Sequence, residues 1–184
     1  MNEGYLSLSE NGQNSRIYRL TSILAADIAG YSALMGADEE ATVRDLKANQ
    51  AVIVPMIGQH VGRIIDTAGD GILAEFPSVL GAVKCALAIQ RTMTERNEPV
   101  EPAKRMLYRI GINQGDVVVD DARVYGDGVN IAARLESIAN PGGICVSGKV
   151  QDEIAGKIEA LWEDLGPQKL KNISQPIRVY RVHQ

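Results

Sequence analysis

Residues 64–76 read IIDTAGDGILAEF, a polar turn between two short apolar runs. The pattern predicts two paired strands joined by a tight connection, whose glycines are free to take positive φ angles. The connection carries Asp70 at its tip. An earlier apolar run, residues 21–26, ends in Asp27 and predicts another strand that ends in a carboxylate.

Two aspartates on stiff strand ends, beside backbone N–H groups at a glycine-containing turn, suit Mg²⁺ and a polyphosphate. Strand-terminating aspartates are also common without any such role, and the spacing of Asp27 and Asp70 alone does not separate the two interpretations.

The composition is that of a globular chain with an aliphatic core. The 184 residues are 45% hydrophobic and 4% aromatic, and they suffice for one domain. A net charge of −4 without a basic run argues against a nucleic-acid partner. Cys85 and Cys145 each lie in an apolar run, which predicts buried thiols in a reducing compartment. No apolar stretch approaches the ~20 residues of a membrane span, and no secretory signal is visible, so we expect a soluble, cytoplasmic protein without a membrane partner.

The order of the elements predicts an α+β fold. Residues 1–15 are polar and predict a flexible arm, followed by one domain over residues 16–184. Its pattern, βααββαβ with an appended C-terminal αββ, is that of a ferredoxin-like sheet with helices on one face. We expect Pro55 to kink or restart the first long helix. We expect residues 116–120 to continue the strand at 108–113 or to pair with it.

Four stretches resemble the catalytic domain of the class III nucleotidyl cyclases. They are ADIAGYS at 26–32, TAGDG at 67–71, RIGI at 109–112 and YGDGVNIAARLE at 125–136. The resemblance covers nearly the whole chain, and the fourth stretch is long and specific. Neither a P-loop nor a dinucleotide-binding glycine motif is present.

The resemblance implies a metal-dependent cyclisation. A nucleoside triphosphate would lose pyrophosphate and become a 3′,5′-cyclic nucleotide, with two Mg²⁺ or Mn²⁺ ions per active site. Asp27 and Asp70 match the two metal-binding aspartates of the family, and Ile28 would add its backbone carbonyl oxygen. Backbone N–H groups would bind the phosphates along Ala29, Gly30, Tyr31 and Ser32.

Three further side chains take roles from the resemblance. Asn130 matches the residue that orients the ribose, and Arg134 matches the arginine that stabilises the transition-state phosphate. Their i, i+4 spacing places both on one helical face. Lys171 resembles a late phosphate-binding lysine, although an exposed strand lysine explains it equally well. In the family the metal residues and the Asn/Arg pair come from opposite subunits, which implies a head-to-tail homodimer with both active sites at the interface.

Asp66 and Arg123 depart from the pattern of the family's adenylate cyclases. Those enzymes usually carry lysine and aspartate at these two base-specifying positions, so the signs are reversed here. Ionised aspartate only accepts hydrogen bonds and arginine only donates them. The pair therefore suits the N–H and carbonyl edge of guanine or uracil, and would leave groups of adenine unpaired at about 1–3 kcal/mol each.

The reversed pair predicts a keto-base substrate, with UTP slightly ahead of GTP because a long Arg123 narrows the pocket. The resemblance then extends to the short pyrimidine cyclases of bacterial anti-phage defence, whose product is a second messenger for a separate effector. A fragment of a larger receptor cyclase fits the sequence equally. Two alternatives stay open: an ordinary adenylate cyclase in which Asp66 and Arg123 only pair with each other, and a non-catalytic nucleotide-binding dimer module.

Overall fold

A computed structural model describes residues 17–120 and 123–183. Its strands are β1 (Ile17–Ile28), β2 (Arg63–Asp66), β3 (Ile72–Phe76), β4 (Tyr108–Asp120), β5 (Arg123–Tyr125), β6 (Ile144–Ser147), β7 (Leu161–Gln168) and β8 (Ile177–His183). Its helices are α1 (Tyr31–Ala37), α2 (Glu39–Gln59), α3 (Val79–Asn97), α4 (Asp127–Ile138) and α5 (Gly148–Ile154), with a 3₁₀ turn at Pro102–Lys104. The predicted arm at residues 1–15 lies outside the described residues.

The strands form one mixed sheet in the order β2-β3-β1-β4-β6-β8-β7, and β5 pairs with β4. The two central strands, β1 and β4, pair antiparallel over twelve residue pairs, from Ile17↔Val119 to Ile28↔Tyr108. β6 lies parallel to β4, and the remaining pairs are antiparallel. The predicted α+β architecture is confirmed.

Helices cover both faces of this sheet, so the prediction that they lie on one face is wrong. Neighbouring residues of β1 point to opposite faces, as strand geometry requires. Leu24 packs with α2 and α3 through residues such as Ile53 and Val83. Ile23, on the other face, packs with Ala132 of α4. The sequence shows that α4 has an apolar side, but an apolar side alone does not reveal which face of the sheet the helix covers.

The long helices begin at side-chain caps. Asp38 Oδ1 accepts the Ala41 N–H at 3.0 Å, and Ser78 Oγ accepts the Gly81 N–H at 3.1 Å. Pro55 lies inside a single continuous α2, so the helix does not restart there. Of the two alternatives for residues 116–120, continuation of β4 is the one observed. Cys85 and Cys145 are buried free thiols, as predicted, and burial raises the pKa of Cys85 to about 12.

α4 lies directly against β4 at Gly111. A Cβ at this position would stand 2.2 Å from both the Ala132 carbonyl oxygen and the Glu136 backbone nitrogen. The backbones can approach this closely only because residue 111 has no side chain. This contact fixes the distance of α4 from the strands that carry the candidate site.

Candidate active site

The two predicted metal-binding aspartates meet at one corner of the sheet. β1 pairs antiparallel with β3, and the register Ala26↔Ile72 brings the end of β1 beside the β2–β3 turn. Asp70 in that turn accepts a hydrogen bond from the Ile28 backbone N–H, 2.9 Å from its Oδ2. Sequence analysis predicted this approach, although 42 residues separate the two groups. We call this site, with Asp27, the metal corner.

Arg109 joins Asp27 at the metal corner. The register places Asp27 opposite Arg109 across β1 and β4. The Arg109 Nε donates to Asp27 Oδ1 at 2.8 Å, and its Nη2 contacts the second carboxylate oxygen. The same guanidinium group lies 3.6 Å from Glu136 Oε1. This hydrogen bonding raises the pKa of Arg109, so Asp27 has a permanent cationic partner.

Glu136 of α4 lies beside Arg109 and Asp27 at the edge of the metal corner. Its side chain is 13% exposed. Burial, and then a hydrogen bond with Asp27, raise its pKa to about 8. Because a protonated carboxyl group can donate to a carboxylate, Glu136 in its neutral form relieves the repulsion between the two acids.

The metal corner fits a hard divalent cation that shares its ligands with a substrate. The oxygens that the resemblance assigns to the metal are the carboxylate oxygens of Asp27 and Asp70 and the Ile28 carbonyl oxygen. Within residues 17–120 and 123–183, no three acidic, cysteine or histidine side chains converge as a metal-binding group. Mg²⁺ is characteristically held by one or two carboxylates, water and substrate phosphates, so two aspartates are sufficient. A bound cation would compete with the Arg109 guanidinium group for Asp27.

The predicted catalytic pair lies on α4. Asn130 is exposed on this helix, and Arg134 follows one turn later. The Arg134 Nε donates to the Lys171 carbonyl oxygen at 3.2 Å. The structure thus brings the segment of Lys171, between β7 and β8, to the helical face of the pair. Among the described contacts, none joins Asn130 or Arg134 to Asp27 or Asp70.

The predicted phosphate-binding segment is only partly open. The Ala29 N–H donates to the Leu107 carbonyl oxygen at 2.9 Å, so it is not available to a phosphate, contrary to expectation. Gly30, at φ 71°, is the N-cap of α1, and its carbonyl oxygen accepts hydrogen bonds from the Ala33 and Leu34 N–H groups. Tyr31 and Ser32 lie in the first turn, where N–H groups have no partner within the helix.

The predicted base-specifying pair is described only in part. Asp66 ends β2, and its Oδ1 accepts the N–H of the next residue, Thr67, at 2.8 Å. Its side chain lines a shallow cleft with Leu73, Ala133 and Glu136. The backbone of Arg123 pairs with Asp120 at the β4–β5 turn. The Arg123 side chain lies outside the described residues, so its partner stays a prediction.

Sequence analysis assigned no role to Arg109 or Glu136. Both lie within stretches that carry the family resemblance, yet neither has a local signal that points to Asp27. Asp27 and Arg109 are 82 residues apart. Their contact follows from the β1–β4 register, which can be derived only once the strands are known to pair.

Comparisons with known proteins identify the family of the chain. Residues 14–184 match the family model described as the adenylate and guanylate cyclase catalytic domain. A crystal structure of an adenylate/guanylate cyclase/hydrolase from Silicibacter pomeroyi is 45% identical, covers 92% of this chain and 99% of its own, and superposes with a TM-score of 0.87. The guanylyl cyclase Cya2 structure is 26% identical over 91% of this chain and 93% of its own, with a TM-score of 0.77.

A protein of Rhizobium meliloti named "Putative adenylate cyclase 3" is 40% identical over 163 residues. The match covers 88% of this chain but spans only 28% of that relative. No helix in the described ranges combines the length and apolar character needed to cross a bilayer.

Proposed function

Because the chain belongs to the family of adenylate and guanylate cyclase catalytic domains, we propose that it converts a nucleoside triphosphate into a 3′,5′-cyclic nucleotide and pyrophosphate. The observation that carries the proposal is the metal corner, where Asp70 is fixed against the Asp27–Ile28 strand end. A catalytically silent module is disfavoured because Asp27, Asp70, Asn130 and Arg134, which match the metal-binding and catalytic positions of the family, are all present.

At the metal corner, Asp27, Asp70 and the Ile28 carbonyl oxygen would hold two Mg²⁺ or Mn²⁺ ions. When bound, the ions would lower the pKa of the ribose 3′-hydroxyl group and neutralise charge on the triphosphate. The backbone N–H groups of Tyr31 and Ser32, in the first turn of α1, would donate to the phosphates. Ala29 supports this segment through its bond to Leu107 rather than by binding phosphate.

On α4, Asn130 would orient the ribose and Arg134 would stabilise the charge that develops on the transferred phosphate. Lys171 would bind the phosphates beside Arg134, because the Arg134 hydrogen bond to its carbonyl oxygen keeps the two residues adjacent. Asn130, Arg134 and Lys171 make no described contact with Asp27 or Asp70. A head-to-tail homodimer, in which each active site takes the metal corner from one subunit and the α4 face from the other, would complete the site.

For the substrate, we propose a keto-base nucleotide, UTP slightly ahead of GTP, read by Asp66 and Arg123. The support is that Asp66 accepts hydrogen bonds and Arg123 donates them, the reverse of the lysine and aspartate that adenylate cyclases usually carry at these positions. The cleft that Asp66 lines beside α4 is consistent with a base-binding position. A cyclic pyrimidine nucleotide made in this way would act as a second messenger, which extends the proposal to a separate effector and to antiviral defence.

ATP is the second candidate substrate, and two observations favour it. The 40%-identical relative carries an adenylate cyclase name. In addition, the Asp66 carboxylate is already bonded to Thr67, so it need not face a base.

The test is to incubate the purified protein with each of the four nucleoside triphosphates and Mn²⁺, and to separate the products. We expect a cyclic nucleotide from UTP or GTP at a rate at least about tenfold above that from ATP. Product from ATP alone would overturn the base preference while leaving the cyclase proposal intact. No cyclic product from any of the four would overturn both.

A further inference from the structure

A second cleft lies apart from the metal corner, where two parallel strands diverge. β4 and β6 pair in parallel up to Ile112↔Val146, and the next residues along the two strands are Asn113 and Ser147. α4 and α5, the helices before and after β6, pack on opposite faces of the sheet. β6 ends at Ser147 while β4 continues to Asp120, so the cleft lies where the pairing between the two parallel strands stops. The cleft has a volume of about 260 Å³.

Two buried polar side chains line this cleft. Asn113 is 3% exposed, and its amide donates to the Gly128 carbonyl oxygen at 3.2 Å. Ser147 is 2% exposed, and its hydroxyl group has no hydrogen-bond partner among the described residues. A buried hydroxyl group without a partner costs about 1–3 kcal/mol, which a hydrogen-bonding group bound in the cleft would offset.

The walls of the cleft are apolar, and its rim carries both signs of charge. Ile131, Ile177 and the ring of Tyr180 line it. Lys149 and Asp152 stand on the rim one helical turn apart on α5. Opposite charges three residues apart on a helix can pair, as Glu101 and Lys104 do across their turn. In the described part of the chain, Lys149 and Asp152 form no ion pair with each other or with another residue.

We propose that this cleft binds a small zwitterion with an apolar body, of the size and chemistry of one aromatic or branched amino acid. Lys149 matches its carboxylate and Asp152 its ammonium group. The apolar body packs against Ile131 and Ile177, and the Ser147 hydroxyl group gains a partner. The volume lies just below the range of about 300–1,000 Å³ for drug-sized ligands, which suits a molecule of this size. A third rim cation, Arg178, is already paired with Asp164.

Occupancy would also affect the proposed catalytic helix, and this part rests on the proposed function. Ile131 is the chain neighbour of Asn130 on α4. A ligand that contacts Ile131 therefore changes the position or mobility of the residue proposed to orient the ribose.

The test uses three probes of similar shape: L-phenylalanine, 3-phenylpropionate without the ammonium group, and phenethylamine without the carboxylate. Methyl NMR spectra of the full chain are recorded during each titration. We expect saturable shifts of the Ile131 and Ile177 signals with L-phenylalanine, at an affinity at least about tenfold above that of either comparator. Equal binding of all three probes, or no saturable shift with L-phenylalanine, would overturn the proposal.

Ser147→Ala separates a ligand-binding hydroxyl group from a structural one. Since the hydroxyl group has no partner among the described residues, its removal should leave Tm unchanged or raised, while L-phenylalanine binds several-fold more weakly. Ser137→Ala, which removes an exposed hydroxyl group bonded to Ala133, should leave the affinity unchanged. A clear loss of Tm in Ser147→Ala would show that the hydroxyl group serves the fold, against the proposal.

The effect of cleft occupancy on catalysis is measured as the rate of pyrophosphate release with and without saturating L-phenylalanine. We expect the rate to change in the wild type and not in a Lys149→Gln/Asp152→Asn double variant. An unchanged rate in an active, saturated enzyme would overturn this part. Absence of turnover with every nucleoside triphosphate would instead count against the cyclase proposal, because the NMR titration does not depend on it.

Discussion

The metal corner and the edge that carries Asp66 lie at the two ends of one β2–β3 turn, yet they differ in how firmly their charges are held. Asp27 and Asp70 are fixed by Arg109 and by the Ile28 backbone N–H, groups from distant parts of the chain. The Asp66 carboxylate has one bond, to its own chain neighbour. The metal corner is therefore preorganised by the fold, whereas the base-specifying edge can change residues without disturbing the sheet.

This contrast predicts that the largest effect comes from the metal corner. Asp70→Asn keeps an oxygen for the Ile28 N–H but removes the negative charge. We expect Mg²⁺- or Mn²⁺-dependent cyclisation to fall about a hundredfold or more, with Tm nearly unchanged. Product formation is measured by chromatography with each metal.

Asp45→Asn is the matched control, because Asp45 is an exposed carboxylate that, among residues 17–120 and 123–183, forms its ion pair with its neighbour Arg44 on α2. It should retain full activity. Wild-type turnover in Asp70→Asn would show that the metal corner does not bind the catalytic metal ions.

At the other end of the turn, a double exchange should alter selectivity rather than activity. Asp66→Lys with Arg123→Asp restores the order of donor and acceptor that suits adenine. The ratio of ATP to UTP turnover should rise at least about thirtyfold, since two groups at about 1–3 kcal/mol each amount to at least about 2 kcal/mol. Competition assays with mixed nucleotides measure the ratio. An unchanged ratio would favour the ordinary adenylate cyclase, in which this pair reads no base.

Gly111 affects both regions because it sets how closely α4 lies against β4. α4 in turn carries Glu136 to the metal corner and Ala133 to the Asp66 cleft. Gly111→Ala places a methyl group against the α4 backbone, which should lower the free energy of unfolding by about 1–3 kcal/mol and reduce turnover. Denaturant titration measures the first quantity.

Gly58→Ala provides the comparison for Gly111. It adds the same methyl group in α2 with no atom within 4 Å, and should stabilise the protein by about 0.5–1 kcal/mol. Equal effects of the two variants would mean that α4 does not lie as described.

The last prediction concerns the pH dependence of stability and rests on the raised pKa of Glu136. Its folded-state pKa of about 8 is raised above the ordinary value of 4.5. Its contribution is therefore complete below pH 4.5 and is lost as the pH rises through about 8. In EDTA, wild-type Tm should fall over this range, and Glu136→Gln should flatten the slope.

Glu95→Gln, an exposed acid on α3, should keep the slope of the wild type. A slope that persists in Glu136→Gln would assign the effect to another group.

The same contrast explains what the sequence could predict. The positions of Asp27 and Asp70 were predictable because Asp27 ends an apolar run and Asp70 lies in the turn between two such runs, and these runs identify strands without knowledge of their partners. The Asn130 and Arg134 face followed from helical spacing. Arg109 and Glu136 were missed because their contact with Asp27 depends on strand register and on the face that α4 covers. Ala29 was misassigned because its N–H partner, Leu107, belongs to a loop without any sequence pattern.

The central claim is that one active site takes its metal corner and its α4 face from different subunits. Asp70→Asn and Asn130→Ala should each be nearly inactive when measured alone. Mixed in equal amounts and allowed to exchange subunits, they should recover about a quarter of wild-type activity, because half of the dimers are mixed and each has one intact site. A mixture as inactive as either variant alone would contradict the shared site.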